Sequence, residues 1–375
     1  MNEINPSDSC SKYTGWKRVA ILAALFLFVI AGIGIWWLTR YAYAPGPDNE
    51  NESVIVVIEK GASVRQIGET LARAGLIKYD IRFPIIARLS GDSGRLKAGE
   101  FRLLTGKSVL ETIRSLVHAK VVQHTITLPE GLSGQEMAML FEERGLCDSN
   151  SYLALMGNST FIRNLGMEGV SSLEGYLFPD TYYFTREQKG AEHFVTMQVR
   201  RFHKVWEELT ESLPTPVDRE KIVTLASIVE KETGAAGERS LIAGVFYNRL
   251  KKNMRLQSDP TVVYGVDNFD GTITKKHLKT ATPYNTYVLQ GLPAGPIANP
   301  GKDSLHAALY PAITEYLYFV SQNDGTHYFS KTLREHNRAV QKYQRKKSRK
   351  SGKQKMREDP TNVSAEGIIK SNDRE

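Results

Sequence analysis

The chain has 375 residues, 49 Lys and Arg against 41 Asp and Glu, and a formal charge of +8. Its two cysteines, Cys10 and Cys147, and eight scattered histidines argue against a disulfide framework and show no metal-ligand spacing, so no metal and no cofactor is expected. The excess charge is local: nine Lys or Arg and no acid lie between Lys342 and Arg357, and the remainder stands at −1, which argues against a basic nucleic-acid face and against nucleic acid as a partner.

Residues 1–18 form a short polar start. Val19 to Leu38 is then twenty consecutive apolar residues, about 30 Å of helix, enough to cross the hydrocarbon of a bilayer. Trp36 and Trp37 close the run, where amphipathic aromatics favour the headgroup level. A cleaved signal would carry a shorter apolar core and a small-residue cleavage site, so the run is expected to remain as an anchor. Lys12, Lys17 and Arg18 precede it and only Arg40 follows closely, which predicts a cytoplasmic N-terminus and a large part outside. The two cysteines then lie on opposite sides of the membrane.

Residues 39–53 read as a linker, with a Pro-, Gly- and Asn-rich tether from Tyr43 to Glu52. A pattern then occurs twice, seventy residues apart, from Ile58 to Ile77 and from Leu128 to Cys147. Each copy predicts a strand, a Gly turn, a helix capped by Ser63 or Ser133, and a stop at Gly75 or Gly145. A weaker echo runs from Phe101 through Gly106 and Ser108 to Leu116. The first copy resembles half of a LysM module, a small βααβ fold that grips N-acetylated sugar polymers, although the same grammar is common in α+β proteins. Expected boundaries are 54–122 for this LysM-like domain, 123–343 for a larger mixed α+β domain and 344–375 for a basic disordered tail.

The loop Ser172–Phe184 is rich in aromatics around Glu174 and Asp180, and suits either an aromatic mini-core or the floor of a sugar cleft. Next, Asp218 caps a predicted helix whose Ile222, Leu225, Ala226 and Val229 make one apolar stripe, ending in Glu230-Lys231-Glu232. Lys231 faces away from the stripe, and both glutamates flank it, so helical geometry does not choose between them. A carboxyl at a helix C-terminus meets the negative end of the dipole, and partial burial adds desolvation. Both raise its pKa, and a carboxyl still protonated near neutrality can serve as a general acid. Loops downstream hold Gln257, Asp259, Asn285 and Asn299 beside Tyr284 and Tyr287, the amides and aromatics that a carbohydrate cleft needs.

Leu-Ala-Ser-Ile-Val-Glu-Lys-Glu232, Asn-Arg-Leu250, Leu-Gln-Ser-Asp-Pro-Thr-Val-Val-Tyr-Gly265, Tyr-Asn-Thr-Tyr287 and Gly-Leu-Pro-Ala-Gly-Pro-Ile-Ala-Asn-Pro-Gly301 stand in order. Together they resemble the endolytic murein transglycosylase family (YceG-like, also called MltG), over about Val54 to Tyr343. The resemblance implies cleavage of the MurNAc–GlcNAc bond inside peptidoglycan strands at the outer face of a bacterial inner membrane. It leaves 1,6-anhydro ends and so terminates or trims nascent strands, with no cofactor. It places the catalytic glutamate on Glu232, and Glu174, Gln257, Asp259, Tyr284 and Asn285 are expected to line the cleft or hold the sugars. Penicillin-binding proteins are the partners the family suggests. A muramidase-type hydrolase using Glu232 with Asp259 or Glu174, and a non-catalytic wall-binding scaffold, are the rival readings.

Overall fold

The structure is a computed structural model that describes residues 9–47, 51–264, 266, 269 and 271–343. The expected tail 344–375, part of the tether (48–50) and the first eight residues lie outside the described residues. The chain divides into two compact units, 1–125 with 183–188, and 126–182 with 189–375.

The first unit opens with α1 (Ser9–Ala42), followed by β1 (Ser53–Ile58), α2 (Val64–Arg73), α3 (Arg82–Leu89), β2 (Gly99–Leu104) and α4 (Val109–His118). Among the described residues α1 is the one helix long and apolar enough to cross a membrane. It does not stop at Leu38: Tyr41 and Ala42 are buried in the core of the unit, and Leu38 packs against that core. β1 and β2 pair antiparallel, Ser53 opposite Leu104 and Ile58 opposite Gly99, with both α2 and α3 between them in sequence. Val56, Ile58, Leu71, Phe83, Phe101 and Ile113 meet in the core they enclose.

The local grammar holds at each repeat. Ser63, Ser108 and Ser133 each accept from the backbone N–H three residues on, while the Gln66, Glu111 or Glu136 side chain reaches back to the cap. Gly75 and Gly145 take left-handed φ of 74° and 61°, as helix stops require. Gly68 on α2 is present for another reason: a Cβ there would sit 2.6 Å from the rings of Phe83 and Tyr79. Gly68→Ala gains about 1 kcal/mol of helix propensity but incurs an overpacking cost of about 1–3 kcal/mol. A net lowering of the melting temperature in detergent is expected.

The chain enters the second unit within β3 (His124–Thr127) and continues through α5 (Gly134–Glu143), α6 (Ser149–Met156), α7 (Ser159–Asn164), β4 (Thr181–Phe184) and α8 (Ala191–Thr210). Then come α9 (Arg219–Glu232), α10 (Arg239–Lys251), α11 (Asp259–Tyr264), α12 (Lys275–Lys279) and α13 (Lys302–Leu309). The described chain closes with the hairpin β5 (Tyr318–Ser321) and β6 (His327–Ser330), antiparallel with Phe319 opposite Phe329, and α14 (Leu333–Tyr343). The whole is a mixed α+β protein with one N-terminal apolar helix.

α9 is the spine of the second unit. The expected single stripe is instead burial on every side, from Ile222 through Val229, because α10, α11 and α13 all pack against it. The buried Ser227 hydroxyl is satisfied: its Oγ donates to Thr224 O and accepts from Ile297 N. The loop after Ser172 is mainly core as well. Tyr176, Phe178 and Tyr182 are buried, Tyr176 meeting Phe202 edge to face at 5.0 Å, while Tyr183 is exposed. Gly175 in this loop has φ +86°, and a Cβ would stand 2.6 Å from Pro296 and 2.8 Å from Val223, so the loop lies directly on the spine.

Candidate active site

The end of α9 separates the two glutamates that sequence left equivalent. Glu230 is turned inward: its carboxylate accepts from Gly301 N at 3.0 Å and lies 3.6 Å from the Arg239 guanidinium. Glu232, at the last helical position, faces a cavity of about 440 Å³. Its Oε1 accepts a 2.5 Å hydrogen bond from Ser258 Oγ. Burial pushes the Glu232 carboxyl up to about 7; the Ser258 hydroxyl opposes that rise and the nearby Asp259 charge adds to it.

The cavity is shaped by three segments of the second unit. The first is the turn into α11, which supplies Gln257, with Asp259 at the first position of the helix. Gln257 sits at φ +50°, unusual for a residue with a side chain. The turn is held by backbone and hydroxyl bonds to the segment around Thr286: Gln257 N to Thr286 O, Ser258 N to Thr286 Oγ1, and Thr261 Oγ1 against Thr286 Oγ1 at 2.8 Å. Asp259 Oδ1 accepts from Tyr287 OH at 2.6 Å. The second is α10, whose Arg249 donates through Nε to Leu317 O and through Nη1 to Leu256 O, so one side chain fixes two walls. The third is the hairpin with α14, which contributes Tyr318, Phe319, His327 and His336. His327 is oriented from behind by Glu238, which lies 2.7 Å from its Nδ1 and accepts from its backbone N–H. Glu232 and Asp259 are the carboxylates lining this cavity among the described residues.

The remaining candidates sit elsewhere in the same unit. Glu174 is buried, its carboxylate accepting from Gly134 N, Asn299 Nδ2 and Tyr264 OH, with no cation paired to it among the described residues. Burial lifts its pKa to about 7 against the Gly134 and Tyr264 donors. Tyr284 meets Tyr264 edge to face at 4.7 Å and shares with Glu174 a small pocket of about 50 Å³. Asn285 is almost fully buried; its amide donates to His277 O and Thr280 O and accepts from Tyr287 N, shaping the loop that presents Tyr287. Asn299 is wholly buried, with Oδ1 accepting from Gly175 N and Leu177 N and Nδ2 donating to Leu132 O and Glu174.

Sequence reasoning passed over Ser258, Arg249 and the Glu238–His327 pair. Ser258 and Arg249 lay inside quoted motifs, between Gln257 and Asp259 and beside Asn248. Glu238 and His327 stand 89 positions apart and carry no local signal.

The sequence model of the YceG-like family matches residues 56–342. The protein named endolytic murein transglycosylase in Bacillus subtilis (strain 168) is 34% identical over 321 residues, covering 82% of this chain and 89% of that one. The protein of that name in Streptococcus pneumoniae (D39) is 28% identical over 361 residues, covering 86% of this chain and 65% of its own longer one. The crystal structure of a YceG-like protein from Listeria monocytogenes superposes with a TM-score of 0.51 at 33% identity, covering 77% of this chain and all of that one. With the family's sequence pattern spanning both units, and a solved relative sharing the fold, the chain belongs to the YceG-like family.

Proposed function

We propose that the protein is a membrane-anchored lytic transglycosylase that cuts peptidoglycan strands internally between MurNAc and GlcNAc. The observation that carries the reading is Glu232, a carboxyl lifted to about 7 on the wall of an open cavity lined by amide, phenol and imidazole groups. The names of the bacterial relatives point to the same substrate.

Protonated Glu232 donates to the glycosidic oxygen as the bond to muramic C1 breaks through an oxocarbenium-like state. The resulting carboxylate then takes the proton of the same sugar's C6 hydroxyl, whose oxygen closes on C1 to form the 1,6-anhydro ring. The proton count balances and no water is consumed. An intramolecular nucleophile supplies by proximity what a second carboxylate supplies in hydrolases. Gln257, Asp259 and Tyr287 line the cavity with Glu232, which supports a role in meeting sugar hydroxyl and N-acetyl groups, with Tyr284, Asn285 and Glu174 supporting the loops that carry them. The βααβ order of the first unit supports a LysM-like grip on the same polymer. The apolar run Val19–Leu38, with its preceding Lys and Arg, supports a single-pass anchor in the cytoplasmic membrane, N-terminus inside and the chain after α1 outside. Penicillin-binding proteins are the partners this reading anticipates.

Asp259 shares the cavity with Glu232, which gives the muramidase reading its one specific support. Digesting purified sacculi with the detergent-solubilised protein separates the two by mass. Anhydro-ended products are expected, whereas products one water heavier would replace the transglycosylase by a hydrolase. Ser258→Ala tests the acid directly. Removing a donor that favours the ionised carboxylate raises the Glu232 pKa above its present value near 7. The alkaline limb of the rate–pH profile is expected to move upward, with a lower maximal rate.

A further inference from the structure

The first unit carries an apolar stripe that its own core does not use. On α3, Phe83, Ile86 and Ala87 are buried, while Ile81, just before the helix, Ile85 and Leu89 are exposed at 73, 38 and 73%. Spaced four apart, the three fall on one face at 100° per residue, opposite the buried set, with exposed Arg88 beside them. Single exposed apolar residues are ordinary, but an aligned set of three large ones implies something that covers it.

The position of α3 says what that is. Arg82, its first residue, lies over the ring of Trp37 at 4.8 Å and over Tyr41 at 4.4 Å, and donates to Trp37 O at 3.4 Å. Asp80 holds the same guanidinium, and Tyr41 OH donates to Lys78 O at 2.5 Å. The segment 78–82 therefore clamps α1 at the last residues of its apolar run. Trp37 belongs at the headgroup level if that run fills the hydrocarbon. Eight helical residues extend about 12 Å, so the stripe begins at that level and ends no more than that distance from it. A short helix with Ile and Leu on one face and arginines at its border has the chemistry of an interfacial helix.

We propose that α3 lies in the membrane interface, with Ile81, Ile85 and Leu89 inserted among the acyl-chain ends and Arg88 against lipid phosphates. This rests on α1 being a membrane span. The first unit is thereby docked on the bilayer surface by two elements, the crossing helix and a surface helix.

The test uses the full chain in nanodiscs containing a phospholipid with a photoactivated diazirine near its headgroup, followed by peptide mapping of lipid adducts. Adducts are expected both within 19–42 and within 79–90. Adducts on 19–42 alone would overturn the surface helix and leave the span intact. Adducts on neither would remove the span and this inference with it. The variant I81S/I85S/L89S is expected to lose the adducts on 79–90, keep those on α1, and melt as the parent does. Persistence of adducts on 79–90 in that variant would overturn the assignment of the stripe as the contact.

Discussion

Glu232→Gln is expected to abolish release of anhydro-ended fragments from sacculi, with a loss on the order of a thousandfold or more. General acid–base catalysis contributes about 10²–10⁴, and here one group performs both transfers. Binding is expected to survive, because glutamine keeps the shape and can still accept from Ser258. The same substitution has a stability signature whose sign is fixed by the pKa. The folded carboxyl titrates near 7 and an ordinary glutamate near 4.5, so the folded state holds the proton more tightly. Between those values the native protein therefore loses stability as pH rises, and above 7 the full cost is present. That cost is on the order of 3 kcal/mol at most, reduced by the partial exposure of the group. The glutamine variant is expected to melt higher than the parent at pH 8 and equally at pH 4. An inactive variant with that pattern is folded and lacks only its proton carrier. Full activity in a folded variant would end the catalytic reading and favour a scaffold.

Asn299→Ala is expected to have the largest effect on stability, roughly 3–5 kcal/mol, enough to unfold the second unit at physiological temperature. The truncation leaves the Gly175 and Leu177 N–H groups without this partner in a buried interior and takes a donor from the Glu174 carboxylate, while Leu132 O keeps the backbone N–H of residue 299. Each orphaned polar group costs about 1–3 kcal/mol. Asn299→Asp is expected to be nearly as damaging, since it keeps the acceptor for Gly175 and Leu177 but sets a second carboxylate against Glu174. Thermal unfolding followed by circular dichroism checks both. A loss below about 1 kcal/mol would mean that water enters and satisfies these groups.

The parts of the fold legible in the chain were those set by neighbours in sequence. The Ser63 and Ser133 caps and the left-handed glycines at 75 and 145 follow from interactions within a few residues and formed as expected, and Ser108 in the weaker echo caps its helix in the same way. α9 was recognisable as a helix, but its burial on all sides was not. An Ile-Val-Thr-Leu-Ala-Ser run with small polar residues is amphipathic in isolation, and only α10, α11 and α13 close around it. The two glutamates at its end could not be separated on a helical wheel because their difference lies in Arg239 and Gly301, which other segments bring. The amides show the same limit. Gln257, Asn285 and Asn299 look alike as residue types, yet one lines the cavity and two are spent on main-chain groups, Asn299 on a partner 167 positions away.

The junction between α1 and the first unit sets a mechanical limit. A helix whose last turn is part of a domain's own core behaves as a rigid post rather than a leash. Under the proposed anchoring, with that post in the cytoplasmic membrane, the first unit cannot rise to search the depth of the wall and can only patrol laterally. On the proposed function, the polymer within reach of such a patrol is the material lying beside the membrane.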